Sequence, residues 1–145
     1  MGRGHGGYID YRESYLDSGG RKVTDRGTIF VAERYIDMGY EVVFRQQKAI
    51  PTCDLTIKTS DDKNILKNIE VKTAFSKNPS QMAKQIEKAR RQIRDGDTLA
   101  IFVPHHKCGK AGIDFAQAGV DEARRKGYVK GPIEVWFSDR KKVEL

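Results

Sequence analysis

The sequence predicts a mixed central sheet flanked by helices, an α/β (α+β) layer fold, and three observations carry that expectation. Apolar residues recur every three or four positions in some segments and every second position in others. Segments of the two kinds follow one another in the order α-β-β-β-α-β-α-β. Turn-forming residues (Gly39, Ser60 to Asn64, Gly96 with Asp97) fall where one period gives way to the next. At 145 residues the chain has the usual length of one domain.

Residues 1–22 are rich in glycine and poor in apolar periodicity. They are expected to form an arm or linker, with one short ordered piece around Tyr8 to Leu16, ahead of a single domain over 23–145. Thr24 or Asp25 is suited to cap a first helix that runs to Met38 and stops at Gly39, burying Ile29, Ala32, Tyr35 and Ile36. Glu41 to Arg45 reads as a strand. Cys53 to Lys58 alternates, with Leu55 and Ile57 on one side and Asp54, Thr56 and Lys58 on the other. Beyond the turn residues Ser60 to Asn64, Asn68 to Thr73 alternates again, with Ile69 and Val71 inward and Glu70 and Lys72 opposite. Asn78, Pro79 and Ser80 start a second helix, expected to reach Asp95 and to bury Met82, Ile86, Ala89 and Ile93. Thr98 to Val103 is nearly all apolar, as in an interior strand. A third helix from Ile113 to Lys126 and a strand from Pro132 to Phe137, continued in the tail, complete the pattern.

The 27 Lys and Arg exceed the 20 Asp and Glu, for a net charge of +7 and an isoelectric point near 9.4. Such a surplus favours an anionic partner, nucleic acid before acidic protein or membrane surface, although it also serves plain solubility. No apolar run approaches the roughly 18 residues of a membrane span. The first seven residues contain no hydrophobic stretch of the kind that begins a secretory signal. Two cysteines without a CxxC pair make no disulfide framework and suit a reducing environment.

Chemistry concentrates on the two alternating strands around the Ser60 turn. An antiparallel hairpin that pairs Asp54 with Glu70 has its midpoint at Asp62, inside the turn, and sets Leu55 opposite Ile69. The two carboxylates are then cross-strand neighbours about 5 Å apart at Cβ. Lys72 lies two residues on and shares their face. Carboxylates that close repel one another unless a cation separates them, and a hard divalent ion such as Mg²⁺ suits oxygen ligands. Such an ion polarises a phosphodiester and lowers the pKa of a bound water, while Lys72 orients that water or stabilises the charge that develops. In this register Ile65 and Leu66 need a bulge or a longer loop to stay covered. Charged residues on the outer face of a hairpin are also ordinary in proteins without any such site.

This arrangement resembles the PD-(D/E)XK nuclease superfamily, with its restriction-endonuclease-like core of a helix, a three-stranded meander, a helix and a further strand. The resemblance covers about Thr24 to Val103. In that superfamily the catalytic Asp starts the second strand and E-x-K lies on the third, matching Asp54 and Glu70-Val71-Lys72. Many members add an acidic residue from the first helix, here Glu33, and others a Gln from the next helix, here Gln85 before Gln81. The chain departs from the pattern in having Cys53 rather than Pro before Asp54. The resemblance implies a metal-dependent endonuclease. Glu33, Asp54 and Glu70 would bind Mg²⁺ or Mn²⁺, Lys72 would assist the nucleophile, and Gln85 would join the catalytic set.

Lys84, Lys88, Arg91 and Arg94 on the second helix suit phosphate contacts, and equally a solvated amphipathic face. The glycine-rich leader, the first-helix Glu, the E-x-K strand and the Gln- and Lys-rich helix also resemble the C-terminal nuclease toxin domains of contact-dependent growth-inhibition effectors. That narrower resemblance implies cleavage of tRNA ahead of DNA and a cognate immunity protein as partner. It also implies secretion or cell-surface delivery within a larger effector, with action in the cytoplasm of a target cell. The other readings are a DNA endonuclease of repair or restriction type and a non-catalytic nucleic-acid-binding module. His105, His106 and Cys108 are the densest soft-metal ligands, but with Cys53 their spacing fits no standard zinc pattern. One of Trp136 and Phe137 is expected in the core, and an exposed Trp136 would be a partner contact.

Overall fold

The computed structural model describes residues 15–46 and 52–145. The order is α1 (Arg26–Asp37), β1 (Glu41–Phe44), β2 (Leu55–Lys58), β3 (Ile65–Thr73), α2 (Pro79–Ala89), β4 (Thr98–Val103), α3 (Lys110–Arg125), β5 (Ile133–Phe137) and β6 (Lys142–Glu144). Among the described residues these make one six-stranded mixed sheet, in spatial order β1 to β6, flanked by three helices. β1, β2 and β3 form an antiparallel meander, β3, β4 and β5 run parallel, and β6 returns antiparallel as the expected continuation in the tail. No helix among these residues is long and apolar enough to cross a membrane.

Parallel neighbours require crossover connections, and successive crossovers in one direction place their helices on the same face. Accordingly α2 and α3 share one apolar cluster with Leu99, Ile101, Val103, Ile133, Val135 and Phe137. α1 covers the other face, packing Val31, Ala32 and Tyr35 on Leu55, Ile57, Ile69, Val71, Ala100 and Trp136. Because β5 is covered on both sides, Trp136 and Phe137 are both buried, and Trp136 presents no free partner surface. On the α1 side, the carboxylate of Glu134 accepts from Tyr35 Oη, from Lys67 Nζ at 2.7 Å and from Trp136 Nε1 at 3.1 Å.

Local chemistry explains most boundaries. Asp25 caps α1 by accepting the Thr28 N–H, and Gly39, at φ +95°, turns the chain after it. Asn78 caps α2 in the same way, with Pro79 in the first turn. Three expectations need correction. α2 ends at Ala89 rather than near Asp95, because one distant and one local partner take backbone groups a longer helix would use: the Cys53 thiol donates to Gln92 O, and Asp97 accepts the Arg94 N–H. A bulge does form between Ile57 and Lys58, yet Ile65 and Leu66 stay 62% and 48% exposed on a hairpin end that is exposed from residue 60 to 66. Finally, the arm expected over 1–22 includes a fastened turn. Leu16 bridges Lys22, the Ser18 N–H donates to Phe44 O at 2.8 Å, and Tyr15 packs on Phe44, so residues 15–22 occupy the outer edge of β1. Most of the ordered piece expected at Tyr8 to Leu16 lies outside the described residues.

Candidate active site

The β2–β3 ladder has the expected register, with Leu55 opposite Ile69. It ends at that pair, so the stretch from Glu70 to Thr73 has no strand partner on the β2 side. The Asp54 side chain takes over there, its Oδ2 accepting the Val71 N–H at 2.9 Å. The result is a notch in the sheet, a cleft of about 380 Å³ lined by Asp54, Glu70, Val71, Lys72 and Thr73. Asp25 and Thr28 close it from the start of α1, Gln85 and Gln92 from α2 and the turn after it, and Phe75 stands at its rim. α1 reaches the notch because residue 27 is glycine: a Cβ there would lie 2.4 Å from Thr73 Oγ1.

Glu70 is only 2% exposed, and its Oε1 is buried without a hydrogen-bond partner. Its Oε2 lies 3.4 Å from Lys72 Nζ. Burial, and then the charge of Asp54, push the Glu70 carboxyl up to about 8, with Lys72 pulling the other way. Burial also raises Asp54, against the Val71 N–H and Lys72, which lower it. Two neighbouring carboxyls that resist joint ionisation are what a divalent cation relieves.

Sequence expectation and geometry part at Glu33. It is buried, its Oε2 accepts from Tyr15 Oη at 3.1 Å, and it does not line the cleft. Helix rise is the reason: Glu33 lies eight positions, about 12 Å, along α1 from the Asp25 that does line it. Asp25 is spoken for in part, since its Oδ2 accepts the Thr28 N–H at 2.9 Å and Thr28 Oγ1 at 2.7 Å. Among the described residues no three His, Cys, Asp or Glu side chains are grouped to hold a metal ion. The pair of Asp54 and Glu70 still suits Mg²⁺, which keeps several waters and binds through one or two carboxylates. The unpartnered Glu70 Oε1 is the ligand atom such an ion would use.

Gln85 lines the cleft as expected, and Gln81 does not. Lys88 and Arg91 border a separate, wider depression of about 620 Å³ with Glu87 and Arg90, and Lys84 is exposed on the same helix. All four residues of that depression are exposed, whereas the smaller cleft holds the buried Glu70 with its unpartnered Oε1, so the smaller cleft is the candidate site. Cys53 precedes β2 beside Asp97, at the start of β4, whereas His105 and His106 follow the end of β4 and pack on Phe115. A strand of six residues, about 20 Å, separates them, which rules out a shared zinc site.

Four lining residues escape a sequence reading. Asp25 and Thr28 carry a helix-cap signature that hides a second role, and Gln92 falls where helical periodicity continues past the real end of α2. Its Oε1 is also buried without a partner. For Phe75 the only signal is its place three residues after Lys72. No family model matches the chain, and no curated protein or solved structure shows significant similarity to it.

Proposed function

We propose that the chain is a divalent-metal-dependent nuclease of the PD-(D/E)XK kind, working at the notch between β2 and β3. The observation that carries this reading is the pair of half-buried Asp54 and buried Glu70, with Glu70 Oε1 unpartnered and Lys72 3.4 Å from Oε2. In support, the order α1-β1-β2-β3-α2-β4 is the element sequence expected of a restriction-endonuclease-like core. Asp54 and Glu70 would hold Mg²⁺ or Mn²⁺, which when bound would supply Lewis-acid activation of the phosphodiester and of a water. Lys72 orients that water and offsets negative charge as the bond breaks. Gln85 and Gln92 offer amide groups to the phosphate or the water from the opposite wall. The basic residues Lys84 and Lys88 of α2, with Arg91 in the turn after it, hold the flanking backbone.

Incubation of the purified chain with total RNA and plasmid DNA, with Mg²⁺ or Mn²⁺ and with EDTA, tests the reading. Cleavage that EDTA stops is expected, and nucleic acid left intact in every condition refutes it. Asp54→Ala and Lys72→Ala should each lower the rate about 100- to 1000-fold with an unchanged circular dichroism spectrum. Salt-sensitive binding that ignores both EDTA and Glu70→Gln would instead identify a non-catalytic module. Within the nuclease reading the substrate proposed is tRNA before DNA, in a delivered toxin neutralised by an acidic immunity protein. Expression that harms cells only when a neighbouring gene is missing favours that role, and harmless expression of the active enzyme alone argues against it.

A further inference from the structure

We propose that Phe75 is a stacking platform for one unpaired base beside the scissile phosphate, which makes the substrate a single-stranded or locally unpaired nucleic acid. The inference rests on the nuclease reading of the same cleft. Phe75 is 78% exposed, the most exposed of the large hydrophobic side chains among the described residues. It is also the aromatic among those exposed groups, and it lines the cleft that holds Asp54, Glu70, Lys72 and Gln85. A singly exposed apolar residue is ordinary on a protein surface; one on the rim of a carboxylate cleft calls for a ligand.

The ring is held there by its neighbours. The Ala74 N–H donates to Phe102 O at 2.9 Å, extending the β3–β4 ladder, and the Ala74 side chain is buried. On the other side, Ser76 O lies 3.2 Å from His105 Nε2, and Ser76 Oγ accepts the Asn78 N–H at 3.0 Å just before α2 begins. Backbone fixed on both sides leaves the ring facing the cleft mouth at little further entropic cost on binding. Phe75 makes no ring–ring pair among the described residues, unlike Phe30 with Phe102 or Tyr35 with Trp136.

Phe75 lies three positions along the chain from Lys72, at most about 10 Å, so the base concerned belongs to a nucleotide next to the one whose phosphate reaches Lys72. A flat aromatic face binds the face of a base, which a continuous duplex keeps covered by its own stacking. An unpaired or extruded base meets that requirement.

The test is cleavage of short single-stranded oligonucleotides, of whichever nucleic acid the chain cuts, with one abasic residue moved across the cleavage site. Wild type should lose about 5- to 150-fold in kcat/KM when the abasic residue occupies one flanking position. Phe75→Ala should show a loss of the same size on the intact strand, mainly in KM, and be blind to the abasic residue. Phe75→Tyr should retain activity to within about threefold, because its ring stacks equally well. A Phe75→Ala variant as active as wild type, or one that still feels the abasic residue, overturns the stacking role while leaving the nuclease reading intact. No cleavage of any RNA or DNA overturns both. Full activity on a continuous duplex overturns the requirement for an unpaired base.

Discussion

Glu70 is held protonated up to about pH 8 by burial and by Asp54, so in the proposed nuclease a divalent cation would compete with a proton for the carboxylate pair. At limiting Mg²⁺, kcat/KM should therefore rise with pH and level off above about pH 8. A profile that is flat from pH 6 to 9 would mean the pair is not where the cation binds. The same shift affects stability. A carboxyl whose folded pKa lies above its unfolded value, near 4.3, binds its proton more tightly in the native state. That contribution is complete below the unfolded value and is lost as pH rises through about 8. Glu70→Gln should accordingly melt about 2–6 °C above wild type at pH 9 in EDTA, with the gap closing at pH 4. Mg²⁺ should raise the melting temperature of wild type and not of the variant, through preferential binding to the folded state. At this scale the sequence is a good guide where side chains alternate: Asp54, Glu70 and Lys72 share a face because the strand period is two. It fails at Glu33, where carboxylate identity is visible but the distance along the helix to the notch is not.

The first turn of α1 is an element defined by what it lacks. Gly27 lets the helix start against Thr73, which brings Asp25 and Thr28 to the cleft. Gly27→Ala has to push α1 and β3 apart or rotate Thr73, and overpacking of this kind costs about 1–3 kcal/mol. The variant should lose that much stability in urea titration and at least 10-fold in cleavage rate, since a displacement near 1 Å disturbs catalytic geometry. Unchanged values for both would show that the α1–β3 approach is soft. Element types follow from periodicity and capping: Asp25, Gly39, Asn78 and Pro79 each act where their chemistry directs. The end of α2 was not legible, because one group that stops it, the Cys53 thiol, lies far from it in sequence and the other, the Asp97 carboxylate, reads as an ordinary turn residue. The exposed Ile65 and Leu66 escape for a related reason, since alternation specifies a face and not how far the covering helices extend.

Across the whole molecule the surplus of positive charge, +7 over 145 residues, would give binding of the proposed nucleic-acid substrate a long-range component. Affinity of the EDTA-treated protein for its substrate should fall linearly on a log–log plot against salt. Replacing Lys88 and Arg91 together by Ala should reduce the slope by about 1 to 2 and weaken all sequences alike. An unchanged slope would move the backbone contacts off the end of α2 and the turn after it. The layered architecture was legible from the interleaved periods, and the apolar run from Thr98 to Val103 marked β4 as interior. The coverage of β5 on both faces was not, because Glu134 and Trp136 read as an outward polar position and an ambiguous one. Each is buried through partners brought from elsewhere in the fold.

Those partners also govern how the molecule breathes. Glu134 on β5 is held by Tyr35 from α1 and Lys67 from β3, two elements far from β5 in the chain. Loosening α1 alone would strip a donor from a buried carboxylate, a penalty of about 1–3 kcal/mol on top of the lost packing. Opening of the first helix is therefore coupled to opening of the fifth strand. Their amides should form one slow-exchanging unit, while the hairpin end from residue 60 to 66 exchanges on its own.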